Sequence, residues 1–199
     1  MPTSSIVPQT VTNRQPQSFS FQTPHSFRPS DVLISPLSWC ALGTANVSQG
    51  ANIASTAYPA SSRVLAYPFE IADYLTVVKV WWLNGATATT DSCDVGVYTE
   101  AGTTLLVSGG STAIAGANII QEVDCTDTLL APGRYWCAYV QGGTTATPHA
   151  LPTTAANLRS MGCAQMAGSG STLGATFTPA ANASAFLNIF GISARIQVA

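Results

Sequence analysis

From residue 64 onward, apolar side chains recur at every second position in short runs, and clusters of Gly, Pro, Asn, Ser and Thr separate those runs. That period belongs to strands with one face on a core, whereas a helix would repeat every three to four residues. Residues 64–71 (VLAYPFEI) read as a strand that Pro68 pushes to a sheet edge or a bulge, because proline has no N–H to give to a ladder. In 74–83 (YLTVVKVWWL), Val78, Val80 and Trp82 would point one way and Val77, Lys79 and Trp81 the other. One tryptophan would then enter the core while its neighbour faces outward or into an interface. In 93–99 (CDVGVYT), Cys93, Val95 and Val97 would oppose Asp94, Gly96 and Tyr98, with a turn at Glu100-Ala101-Gly102 returning the chain as 104–108.

Further strands are expected at 118–126, at 129–141 behind a Pro132-Gly133 turn, and at 158–166. The alternation of 129–141 suits a central strand. The last run, 185–199, would place Phe190, Ile192, Ala194, Ile196 and Val198 on one face and lock the chain end into a sheet. Short strands at roughly ten-residue spacing, with no long amphipathic helix, predict an all-β fold: a jelly-roll-like antiparallel β-sandwich.

The first 36 residues obey a different rule. Six of the twelve prolines fall there, at Pro2, Pro8, Pro16, Pro24, Pro29 and Pro36, too close together for a helix or for a strand inside a sheet. Ile6, Phe19, Phe21 and Phe27 sit among Ser, Thr and Gln, where a solvated linker would lack large apolar groups and carry more charge. The expectation is an extended proline-rich N-terminal arm (1–36), docking on neighbouring subunits through those four side chains, ahead of one β-sandwich body (37–199). Proline-fixed dihedrals would lower the entropy lost when such an arm orders.

Composition supports an assembly role. Charged residues make up 8% of the 199-residue chain, against roughly 25% in ordinary soluble domains. Lys79 is the only lysine, and a free surface with so little charge has weak protection against association. Arg14, Arg28, Arg63, Arg134, Arg159 and Arg195 are scattered singly, so no basic patch exists to neutralise phosphates, and nucleic acid is not an expected partner. No apolar run approaches the ~20 residues of a membrane helix, and the N-terminus has neither a basic nor an apolar leader region, which predicts synthesis in the cytoplasm without a membrane partner. The sequons at Asn46 and Asn182 would then be chance matches.

Cys40, Cys93, Cys125, Cys137 and Cys163 are odd in number and contain no Cys-x-x-Cys pair, and Cys93, Cys125 and Cys137 lie in strand-like runs as small hydrophobes. His25 and His149 each follow a proline, with no nucleophile and carboxylate spaced as a triad. There is no Gly-x-Ser-x-Gly elbow, no Walker A loop and no dinucleotide glycine spacing. Asp91, Asp94, Glu122, Asp124 and Asp127 would need converging loops to hold calcium, and solvated loop acids are the simpler reading. The expectation is a protein that is not an enzyme, with no catalytic, cofactor or metal residues. Trp39, Trp81, Trp82, Trp136, Tyr98, Tyr135 and Tyr139 fall on both faces of adjacent strands, so some would lie outside the core, Trp81 and Tyr98 being the named candidates for an exposed aromatic interface.

The segment Asp94-Val95-Gly96-Val97-Tyr98-Thr99-Glu100-Ala101-Gly102-Thr103, followed by Leu130-Ala131-Pro132-Gly133-Arg134-Tyr135-Trp136-Cys137-Ala138, resembles β-sandwich modules of tailed-bacteriophage virion proteins. There, a G-x-Y-x-x-x-G hairpin precedes an L-x-P-G-x-Y-W strand, and the likeness covers about residues 64–141. With the arm and the low charge, the resemblance implies a head decoration (cement) protein on the capsid exterior of a virion. Its implied partners are the major capsid protein and copies of itself, in a homo-oligomer such as a trimer. The alternative from the same group is a head-fibre or tail-fibre, receptor-binding module that recognises host surface carbohydrate.

Overall fold

The computed structural model describes residues 31–34, 53–151 and 153–196. The arm contacts expected of Ile6, Phe19, Phe21 and Phe27, and the part of the body at 37–52, lie outside the described residues. In chain order the strands are β1 (Asp31–Ile34), β2 (Ala54–Ser55), β3 (Arg63–Ile71), β4 (Leu75–Leu83), β5 (Ser92–Thr99), β6 (Leu105–Ser108) and β7 (Thr112–Ala113). They continue as β8 (Ile120–Leu130), β9 (Gly133–Gln141), β10 (His149–Ala150), helix α1 (Ala155–Ser160), β11 (Ala164–Ala167), β12 (Ala180–Ala181) and β13 (Phe190–Ile196).

A four-stranded sheet of order β1-β13-β4-β8 faces a seven-stranded sheet of order β12-β11-β3-β9-β5-β6, with β7 paired to β5. Count the principal strands as β1, β3, β4, β5, β6, β8, β9 and β13. The first sheet then runs first, eighth, third, sixth, and the second runs second, seventh, fourth, fifth. This is the jelly-roll order of two interleaved Greek keys. β9 sits between β3 and β5 as its alternation predicts, and β13 sits between β1 and β4.

The inner faces meet in one core. Leu65, Tyr67 and Phe69 from β3, Cys93, Val95 and Val97 from β5, and Cys137 and Tyr139 from β9 pack against Val77, Val80, Trp82, Phe190 and Ile192 of the smaller sheet. Aromatic rings bridge the layers, with Phe190 centred 5.1 Å from Tyr67 and 5.5 Å from Tyr139. The Tyr67 hydroxyl also donates across the sandwich towards the carbonyls of Ile34 (3.2 Å) and Phe190 (3.4 Å).

Several local expectations need amendment. Pro68 stands in a strand that is central over its first half: β11 pairs with Arg63 to Ala66 and then ends, so Pro68 has only Trp136 of β9 beside it. Its missing N–H therefore falls where no ladder asks for it. In β4 the register with β8 shifts between Val77 and Lys79, which reverses the phase of alternation. Val77 shares the inward side with Val80 and Trp82, and Val78 is only half-buried. Residues 158–166 divide into the end of α1, whose N-cap Thr154 side chain accepts from Asn157 N–H at 3.2 Å, and β11.

The outer face of the larger sheet is also buried. Val64, Ala66, Tyr98, Ala138, Val140 and Ala164 form a second core that Leu173 and Phe177 cover. Residues 173–177 thus act as the lid of a third layer.

Candidate interaction surface

Both aromatics expected at an exposed interface are inside the folded chain, Trp81 at 2% exposure and Tyr98 at 0%. Tyr98 points away from the main core, as its alternation requires, but the 173–177 segment closes over it. Its hydroxyl donates to the Gly174 carbonyl at 2.7 Å, and its ring lies 5.6 Å from that of Phe177. Trp81 lies opposite Gly191 of β13, and a β-carbon there would stand 2.9 Å from the indole and 2.0 Å from the Ile34 carbonyl oxygen. Glycine at 191 is what lets ring and strand approach. Trp136 donates its indole N–H to the Glu100 carbonyl at 2.9 Å and sets its ring edge-on to Phe177.

The acids separate by role. Asp91 Oδ2 accepts from the backbone N–H groups of Thr145 (3.0 Å) and Ala146 (2.8 Å), fastening the loop before β10. Asp94 lies under the lid, accepting from Ser108 Oγ at 2.8 Å and Leu173 N–H at 3.0 Å. Burial raises its pKa, and hydrogen bonds from the Leu173 N–H and the Ser108 hydroxyl oppose that rise. Glu122 and Asp124 stand on β8 beside Lys79, at 3.1 and 3.8 Å. The hydrogen bond that Lys79 donates to Glu122, followed by the charge of Glu122 and that of Asp124, raises the Lys79 pKa. Among the described residues no three of His, Cys, Asp and Glu gather as a metal site. His149 Nε2 shares a hydrogen bond with Asn118 Oδ1 at 3.0 Å. Asn182, one of the two sequon asparagines, is fully buried, and its Oδ1 accepts from Ser184.

What sequence reasoning passed over is the open edge of β8. The strand is 11 residues long and borders the smaller sheet, with β4 on one side and, among the described residues, no strand on the other. Its ends carry exposed apolar groups: Ile119 and Ile120 at 49% and 59%, and Leu129 at 58% beside Tyr74 at 52%. Glu122, Asp124 and Asp127 lie between them, all exposed. A long edge with large exposed apolar side chains is an association surface unless something blocks it. The signal was present in the doublets Ile119-Ile120 and Leu129-Leu130, since neighbouring residues in a strand cannot both face one core.

No family model matches this chain, and neither a curated protein nor a solved structure matches it.

Proposed function

We propose that this chain is a non-enzymatic virion structural protein, a tailed-phage head decoration protein that binds the outer capsid surface and stabilises the major capsid protein lattice. Jelly rolls serve both as viral coat modules and as lectins, so the architecture alone does not choose between the two. The observation that favours the coat role is where the aromatics go. Trp81, Trp82, Tyr67, Tyr98 and Tyr139 are all consumed in packing, and Tyr74, about half exposed, is the one aromatic among the exposed large apolar side chains of the described residues. A sugar platform needs two or three coplanar exposed rings, and a lone tyrosine does not supply one.

In this reading the sandwich is a rigid block, buried on both faces of its larger sheet, and the proline-rich arm reaches neighbouring subunits. Many weak contacts per particle then add by multivalency and brace the lattice against internal pressure. The low charge of the chain fits a surface that is largely covered after assembly. The test is co-sedimentation of the chain, full-length and lacking residues 1–30, with particles stripped of their accessory proteins. Saturable binding that requires the arm is expected. Absence of binding to any particle would sink the decoration role, and a positive glycan array from the isolated body would put the fibre module in its place.

A further inference from the structure

We infer that the free edge of β8 is the docking site for residues 17–23 of a second copy of this chain, added as an extra strand to the four-stranded sheet. The inference rests on the assembly reading above and identifies which surface the arm seeks.

Three observations select this occupant. The first is hydrogen-bonding capacity. β8 has β4 along one side and, among the described residues, nothing paired along the other, so its outward N–H and C=O groups can receive a strand. The second is charge. Glu122, Asp124 and Asp127 with Lys79 give the edge a net charge of −2, from three acids and one base. Antiparallel pairing with a second β8 would set like charges against one another, which opposes it. Residues 1–30 contain Arg14 and Arg28 and no acid, so the arm has the opposite sign.

The third is pattern and reach. Gln17-Ser18-Phe19-Ser20-Phe21-Gln22-Thr23 is a proline-free run between Pro16 and Pro24 in which Phe19, Phe21 and Thr23 alternate with Ser18, Ser20 and Gln22. That is the period of a strand with one apolar face. On β8, the half-buried Val123 and Cys125 already pack at the margin of the core with the same spacing of two, ready to be covered by two rings. Residues 31–34, within the span expected to be arm, form β1 at the opposite edge of this sheet, and residues 1–30 precede it. To return to its own β8, the connector 24–30 would have to rise over three inter-strand spacings, about 14 Å, and clear the side chains on the way. Its contour is about 25 Å and contains Pro24 and Pro29, so folding back would use more than half of that length in crossing the outside of its own sheet, whereas a neighbour imposes no such path.

The experiment uses the full chain in solution, without particles. Sedimentation velocity is run on wild type, on Glu122→Lys/Asp124→Lys and on Phe19→Ala/Phe21→Ala; the altered positions on β8 are exposed, so that variant keeps its fold. Self-association that each double variant weakens by roughly tenfold or more, and that added salt also weakens, is expected. In parallel, a Ser20→Cys chain is mixed with an Asp124→Cys chain and oxidised, with wild type as the background control. A covalent dimer containing one of each is expected. A chain that is monomeric throughout, a dimer indifferent to both double variants, or a link that forms only when both cysteines share one chain would each overturn the inference. If that chain still co-sediments with stripped particles, the decoration role survives, so the two failures are distinguishable.

Discussion

Asp94 on β5 accepts a hydrogen bond from the backbone N–H of Leu173, 79 residues later in the chain, at 3.0 Å. With Ser108 Oγ on the same oxygen, this contact pins the third layer to the outer face of the larger sheet. Asp94→Ala leaves the Leu173 N–H and the Ser108 hydroxyl without their acceptor, and chemical denaturation is expected to show a loss of about 2–3 kcal/mol.

The same residue has a pH signature of unusual sign. Burial raises the Asp94 pKa in the folded chain above its unfolded value, so the native state holds this proton more tightly. Its contribution is fully present below the unfolded pKa and lost as pH rises through the raised folded pKa, which is the reverse of a salt-bridged aspartate. In that window Asp94→Asn, which does not titrate, should show a flatter dependence of Tm on pH than wild type, by calorimetry. A steeper dependence in the variant would contradict the assignment.

Two glycines with the same backbone geometry should differ in what they tolerate. Gly102 and Gly110 have φ of 70° and 72°. A β-carbon at Gly102 would stand 1.9 Å from the Phe177 carbonyl oxygen, whereas at Gly110 nothing lies within 4 Å. Gly110→Ala should cost only the left-handed backbone penalty, about 1–2 kcal/mol. Gly102→Ala should cost more and free the 173–177 segment, read as local loss of amide protection.

Tyr67 tests the joint between the sheets. Tyr67→Phe keeps the ring against Phe190 and removes the hydroxyl that reaches Ile34 and Phe190, so a loss of about 1 kcal/mol is expected in urea unfolding. Phe177→Ala, which uncaps Tyr98 and Trp136, should be costlier, at about 3–5 kcal/mol.

The thiols of buried Cys93, Cys137 and Cys163 and of half-buried Cys125 should be inert. Burial pushes Cys137 and Cys163 up to about 12 and Cys125 to about 11, and it raises Cys93 as well. At pH 8 their thiolate fractions are on the order of one in a thousand or less, so iodoacetamide should label these four sites far more slowly in the native chain than in guanidinium. Peptide mass spectrometry reads each site separately.

Period-two patterning sorted β5 correctly into a Cys93, Val95, Val97 face and an Asp94, Gly96, Tyr98 face. It erred in leaving the second face open. The missing partner, Leu173 and Phe177, lies in a stretch with no regular period just after a Gly/Ser-rich loop, and only the folded topology brings it back across the sheet. Trp81 was misjudged for a related reason: alternation says which side a ring takes, but not that Gly191 opposite lets it lie against the backbone. The shift after Val77 leaves no mark in hydrophobicity, because every residue from Val77 to Trp82 except Lys79 is apolar. The jelly-roll class was legible because it rests on strand spacing, and the order of strands was not, because pairing is a long-range property.

β13 is the last strand among the described residues, yet it lies between β1 and β4, two of the early ones. Among the described residues, a nascent chain still lacking 190–196 holds β1 with no strand to pair with, and β4 has an open flank. The smaller sheet can therefore close only after synthesis has passed this point, by a search across the length of the body. That places the folding of this chain among the slow, non-local class, and it makes the interval before closure the time when a growing subunit is most exposed to pairing with the wrong strand.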